Sequence, residues 1–120
     1  MHYPGLEDFS YKKAAKKLLQ SPDGEFCPGY MLAFQLKNPD ASTVDFVNYI
    51  AKNSYSITLA VSLGLTKTLI ELPNFMTHAV VDEETKKLGG VSPYLIRMSV
   101  GLENTKDLKA DLDLAFSQVK

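Results

Sequence analysis

Residues 94–100 read YLIRMSV, an alternating run of the kind that forms β-strands. Ile96 and Met98 fall on one face of this strand, whereas Arg97 falls on the other face. Asn104 follows a few residues later, and the apolar stripe after it has the spacing of an amphipathic helix. A strand that leads into a closing helix favours a sheet layered against helices.

The same two patterns recur upstream and predict the other elements. The predicted elements are helices over residues 7–20, 42–52 and 82–88 and strands over residues 30–37 and 56–61. Residues 68–72 are predicted as a short irregular segment that Pro73 stops. Because helices or long segments separate the strands, the sequence predicts an α+β fold with one sheet and helices on one face. The strand directions stay open.

Length, composition and charge limit the class of protein. The 120 residues suit a single domain over residues 1–120, and 45% hydrophobic with 22% charged residues is ordinary for a globular chain. A net charge of −1 argues against a nucleic-acid partner. No stretch has the length and apolarity of a membrane span and no signal peptide is visible, so the expected location is the cytoplasm. A single cysteine excludes an internal disulfide.

Arg97 and the turn after the second predicted strand are the positions most suggestive of a binding site. An arginine within an apolar strand must be paired or reach solvent. Arg97 therefore either pairs with an acid on the wet face of a one-sided sheet, or offers its planar fork to a carboxylate or phosphate ligand. Ser62-Leu63-Gly64 is either a plain turn or a set of backbone N–H groups facing an anion. His78 has no partner at metal-ligand spacing, so no metal site is predicted.

Three segments together resemble a known enzyme family. They are residues 60–64 (AVSLG), 69–78 (LIELPNFMTH) and 95–103 (LIRMSVGLE). In order and spacing they resemble the C-terminal part of the Cys/Met-metabolism enzymes that use pyridoxal phosphate (PLP), and the likeness extends over essentially the whole chain. The resemblance implies the small C-terminal domain of such an enzyme, a two-layer α+β sandwich with a mostly antiparallel sheet of three to four strands and helices on one face.

The resemblance also implies roles for individual residues. The family's small domain supplies an arginine that grips the substrate α-carboxylate, a position that matches Arg97, and the segment matching Ser62 and Leu63 lines the same carboxylate. Val61 precedes that serine as in the methionine-gamma-lyase-like members, which implies a small apolar substrate tail. The reaction implied is C–S bond cleavage in a sulfur amino acid. Lys67 follows a threonine, as the family's cofactor lysine does, but it matches a different segment and is expected to be an ordinary solvated lysine.

The family's cofactor lysine and phosphate ligands lie in a large N-terminal domain. This chain is therefore expected to hold no catalytic, cofactor-binding or metal-binding residue and to be inactive alone. The resemblance implies that the full-length enzyme is a homotetramer. It also implies that a large PLP-binding domain holds the PLP cofactor and that the substrate is a small amino acid. Elimination and replacement chemistry are both left open. Two other functions also stay open: a stand-alone module that binds an amino acid or other small acid, and an interaction domain that docks a partner on an apolar sheet face.

One geometric expectation follows for the site. The Arg97 guanidinium should project toward the bend at residues 62–64, so that the two form an anion-binding pocket at the edge of the sheet. A side chain aimed elsewhere, or one already neutralised by an internal acid, would speak against an amino-acid site.

Overall fold

The structure is a computed structural model that describes residues 1–38, 40–77, 80–89 and 92–119. His78 lies outside the described residues. Within them, no group of three or more histidine, cysteine, aspartate or glutamate side chains is arranged to hold a metal ion. None of the described helices has the length and apolarity needed to cross a membrane.

The described residues contribute four strands to one open sheet. The strands are β1 (Met31–Phe34), β2 (Ile57–Leu59), β3 (Thr68–Glu71) and β4 (Ile96–Ser99), in the spatial order β1-β4-β3-β2. β4 pairs antiparallel with β1 and with β3, whereas β2 pairs parallel with β3. The predicted α+β class with a mostly antiparallel sheet is thereby confirmed.

The described residues also form five helices. They are α1 (Lys12–Leu18), α2 (Asp40–Asn53), α3 (Pro73–Met76), α4 (Glu83–Leu88) and α5 (Thr105–Gln118). The cap predicted for the closing helix is present, since Asn104 Oδ1 accepts a hydrogen bond of 2.9 Å from the Lys106 amide. α1 is shorter than predicted because Lys12 Nζ donates to the carbonyls of Gly5 and Leu6, at 2.8 Å each, and so stabilises a turn where a helix was expected.

α2 and α5 pack against one face of the sheet and enclose the core. The buried core residues are Phe34, Phe46, Val47, Ile50, Ile57, Ile70, Leu72, Ile96, Met98, Leu108 and Ala115. The Phe46 ring centroid lies 4.7 Å from that of Phe116 and 6.2 Å from that of Phe34, so aromatic contacts join both helices to β1. Burying a side chain of this size stabilises the fold by about 1.5–3 kcal/mol.

β3 corrects two of the sequence predictions. Residues 68–72 are not irregular: β3 lies between β2 and β4, and all four of its residues are buried. A short run that is largely apolar on both faces is typical of a strand covered on both sides. Leu69, Glu71 and Ser99 are buried on the face away from α2 and α5, so Arg97 does not lie on a wholly wet face.

Candidate functional site

The sheet register places an acid beside Arg97. β4 pairs with β3 so that Arg97 lies opposite Glu71, and with β1 so that it lies opposite Ala33. Side chains opposite each other in an antiparallel pair share a face, with Cβ atoms about 4.5–5.5 Å apart. The backbone ladder by itself therefore brings the two charges together.

The Arg97 guanidinium is held through one of its nitrogens. Nη2 lies 3.0 Å from Glu71 Oε1 and donates a hydrogen bond of 3.2 Å to the Ser62 carbonyl oxygen. The Arg97 side chain is 25% exposed, whereas that of Glu71 is 1% exposed. The ion pair is thus buried on the side of the acid and reachable by solvent on the side of the base.

The Arg97 side chain reaches the bend at residues 62–64, but the bend receives it differently from the expectation. Ser62 offers its carbonyl oxygen, which accepts from the guanidinium and does not attract an anion. The Gly64 N–H donates to Ser99 Oγ at 2.9 Å, so it is not free for a ligand. Glu71 already balances the charge of Arg97, and this meets the condition stated above as speaking against an amino-acid site.

The rest of the guanidinium is nevertheless unoccupied by the described part of the chain. The fork carries five N–H donors, and Glu71 and Ser62 both contact Nη2. A bidentate pair with Glu71 would use a second nitrogen, yet only Oε1 makes the contact, and Oε2 is buried without a hydrogen-bond partner among the described residues. The N–H donors on Nη1 and Nε therefore keep no partner among the described residues and can donate to a ligand carboxylate.

The bend itself lies at the protein surface. Val61 is 56% and Leu63 49% exposed, and Ser62 between them is exposed as well. A groove of about 490 Å³ passes Gly64 and Tyr30, but neither Arg97 nor Ser62 lines it. Among the described residues, the predicted pocket is therefore an open surface without an opposite wall.

A hydrogen-bonded cluster fixes the start of β3 beside the bend. Glu103 accepts from the Thr68 amide at 2.7 Å and from its hydroxyl at 2.6 Å, and Thr68 Oγ1 accepts from the Gly101 N–H at 2.8 Å. Burial alone would raise the pKa of Glu103, but the bonds from Thr68 outweigh it and hold that pKa below its ordinary value. The cluster joins β3 to the segment after β4 and so keeps Glu71 opposite Arg97.

Lys67 does not have the surroundings of a cofactor lysine. A PLP site needs a lysine amine that reaches the cofactor and N–H donors that cradle its phosphate. Lys67 is exposed, and its charge acts on Glu103, whose pKa it helps to lower. The residues around the bend therefore do not fit PLP, and no cofactor contact is assigned to them.

Glu71 is the site residue that the sequence analysis missed. The signal was present: a lone acid lies within one apolar run (LIEL) and a lone base within another (LIRM). Two such charges predict a pair once the runs are understood as neighbouring strands, since a buried charge needs a partner. The prediction failed because residues 68–72 were not assigned to a strand.

The whole chain is similar in sequence to known enzymes. Residues 1–117 match a family described as Cys/Met metabolism PLP-dependent enzyme. The chain is 37% identical over 119 residues to an L-methionine gamma-lyase of Fusobacterium nucleatum subsp. nucleatum, covering 99% of this chain and 28% of that protein. It is 41% identical over 113 residues to a cystathionine gamma-lyase of Macaca fascicularis, covering 94% of this chain and 25% of that protein. The chain thus spans about a quarter of the length of these relatives.

Solved structures share the fold as well. The cystathionine gamma-lyase of Lactobacillus plantarum complexed with L-serine superposes with a TM-score of 0.82 at 35% identity, over 98% of this chain and 28% of that one. The cystathionine gamma synthase of Xanthomonas oryzae pv. oryzae in complex with cystathionine also gives a TM-score of 0.82, at 32% identity, over 97% and 27%.

Proposed function

Because the chain belongs to the family of Cys/Met-metabolism PLP-dependent enzymes, we propose that it forms the part of a gamma-lyase-type enzyme that binds the α-carboxylate of a sulfur amino acid. The N–H donors on Nη1 and Nε of Arg97 bind the carboxylate, and Ser62 and Leu63 lie beside it. The observation that carries this proposal is a guanidinium held through Nη2 by Glu71 and Ser62, with the N–H donors of Nη1 and Nε left without a partner among the described residues.

The ligands named for two relatives support the proposal. The Lactobacillus structure holds L-serine and the Xanthomonas structure holds cystathionine, and both ligands carry an α-carboxylate. More than one charge-assisted hydrogen bond from a planar guanidinium fixes such a group in orientation as well as in position. Orientation matters for the reaction, because a bound substrate reacts fast only when the reacting bond is correctly placed.

The rest of the enzyme completes the site in this proposal. PLP supplies the electron-sink chemistry when bound, and a large PLP-binding domain outside these 120 residues holds it. The part of the enzyme that covers the bend provides the wall that the described residues lack and excludes water from the carboxylate. Val61, exposed next to Ser62, then faces the substrate side chain and favours a small apolar tail.

The test places this chain within a whole enzyme. In a chimera, it replaces the matched segment of the Fusobacterium L-methionine gamma-lyase. Arg97→Ala should cost about 2–5 kcal/mol of substrate recognition, as does truncating one partner of a buried charge pair. In kcat/KM for L-methionine, this is a loss of about 30-fold or more. Arg97→Lys should fail too, because a point charge does not replace the fork.

Two controls separate recognition from folding in this chimera. Arg97→Lys keeps a cation beside Glu71, so its melting temperature should stay close to that of the parent. Lys109→Ala removes an exposed cation on α5, which packs on the opposite face of the sheet, and should leave kcat/KM unchanged. An Arg97→Ala chimera with full PLP content and undiminished kcat/KM would contradict the proposal.

A further inference from the structure

We propose that Glu71 is a positioning residue that fixes the orientation of the Arg97 guanidinium for the incoming carboxylate. This inference rests on the proposed function of Arg97. Glu71 acts through Arg97, because its side chain is 1% exposed and lies out of reach of a ligand at the surface.

Glu71 is itself held firmly enough to serve as an anchor. Its backbone lies in the ladder between β3 and β4, where its register partner is Arg97. Oε1 forms an ion pair with Arg97 Nη2 at 3.0 Å. Thr77 Oγ1, at the end of the short helix α3, lies 3.5 Å from Oε1 and 3.3 Å from the Pro73 carbonyl oxygen. The strand ladder and the ion pair therefore hold Glu71 in place.

The form of the ion pair argues for positioning rather than for stability. A buried carboxylate loses its hydration, and Glu71 leaves Oε2 without a hydrogen-bond partner among the described residues. A bidentate pair would compensate better, but it would engage a second nitrogen of the guanidinium. Contact through Oε1 alone neutralises the guanidinium and leaves the N–H donors of Nη1 and Nε without a partner among the described residues.

Ser62 completes the anchor. Its carbonyl oxygen accepts from the same Nη2 that Glu71 contacts, so rotation of the guanidinium about the Nε–Cζ bond breaks both interactions at once. The two acceptors therefore fix the plane of the guanidinium.

Nitrogen-detected NMR of the guanidinium in the 120-residue chain tests the anchor directly. We expect separate, slowly exchanging Nη1 and Nη2 resonances for Arg97. Glu71→Ala should accelerate rotation about the Nε–Cζ bond by about tenfold or more, since a charge-assisted hydrogen bond is lost. Glu71→Gln keeps an acceptor of the same length and should give an intermediate rate. Glu25→Gln removes an exposed acid ahead of β1 and should leave the rate unchanged.

Kinetics in the Fusobacterium chimera provide the second readout. Glu71→Ala should raise KM for L-methionine by about tenfold with a smaller change in kcat, because a misoriented fork weakens binding. Glu71→Gln should restore part of that loss. Should Glu71→Ala fail to fold, the Glu71→Gln variant decides both measurements, because it is nearly isosteric.

The outcomes distinguish this inference from the function on which it rests. If rotation stays slow and KM stays unchanged in the Glu71→Gln variant, the positioning role of Glu71 is overturned. The proposed function of Arg97 stands in that case if Arg97→Ala lowers kcat/KM of the chimera. An Arg97→Ala chimera with unchanged kcat/KM overturns both, whatever the rotation rate.

Discussion

Asp111 ties the closing helix α5 to the segment between α2 and β2. Its Oδ2 accepts hydrogen bonds from Ser54 Oγ at 2.5 Å, from the Ser56 amide at 2.9 Å and from Ser56 Oγ at 2.6 Å. Partial burial would raise the pKa of Asp111, but the bonds from both serines outweigh it and lower that pKa below its ordinary value.

A lowered pKa makes the contribution of Asp111 depend on pH. The unfolded chain, with a pKa of about 3.9, binds the proton more readily than the folded one, so the stabilisation is complete above that value and is lost as the pH falls through the folded pKa. Asp111→Asn should lower the free energy of unfolding at pH 7 by about 1–3 kcal/mol. The difference from the parent should shrink in acid.

Urea unfolding at pH 7 and at about pH 3 measures both effects, since the lower value lies below the ordinary aspartate pKa. Asp113→Asn, an exposed neighbour on the same helix, is the matched control and should change little at either pH. A constant deficit for Asp111→Asn at both values would contradict the linkage.

β3 depends on Thr68, whose hydroxyl is fully buried between Glu103 and Gly101. Thr68→Val keeps the shape of the side chain but leaves a carboxylate oxygen and a backbone N–H without their partner. We expect a loss of about 1–3 kcal/mol in the free energy of unfolding. Thr58→Val, on the exposed side of β2, makes the same chemical change in water and should be nearly neutral. Equal stability of the two variants would contradict a structural role for the cluster.

The contrast between β4 and β3 shows which elements can be predicted from the sequence and which cannot. β4 and the capped start of α5 were predicted because their signals are local: alternation within seven residues, and an asparagine one position before a helix. β3 begins with a threonine and ends with a glutamate. The contacts that stabilise these two side chains inside the sheet come from residues far along the chain. The hydrophobic periodicity of a short segment does not indicate such long-range contacts, and Glu71 was missed for the same reason.

The candidate site, too, could be predicted from the sequence only in part. The need of Arg97 for a partner was predicted, because an arginine within an apolar run must find one, whereas its approach to the bend near Ser62 was expected from the family resemblance. Which partner it finds depends on the register of two strands. The single-oxygen contact with Glu71 and the donation from Gly64 to Ser99 follow from that register and from the path of the bend.

The molecule as a whole leaves apolar side chains uncovered around its candidate site. Val61, Leu63, Leu65 and Phe75 are each roughly half exposed in the segments that lead into and out of β3. Clustered exposed apolar residues mark interaction surfaces more often than isolated ones do. Their position favours a covering partner on the side of the bend, which agrees with a chain that spans about a quarter of its relatives.

The incomplete site predicts that the chain alone binds free amino acids weakly. A single charged contact that solvent reaches is worth about 0–1 kcal/mol, and Glu71 already offsets the charge of Arg97. Isothermal titration of the 120-residue chain with L-methionine should therefore give no saturable heat at ligand concentrations up to about 1 mM, which corresponds to about −4 kcal/mol of binding free energy. Micromolar affinity that Arg97→Ala abolishes would instead favour a stand-alone amino-acid-binding module, because a chain that closes its own site needs no second domain to hold the carboxylate.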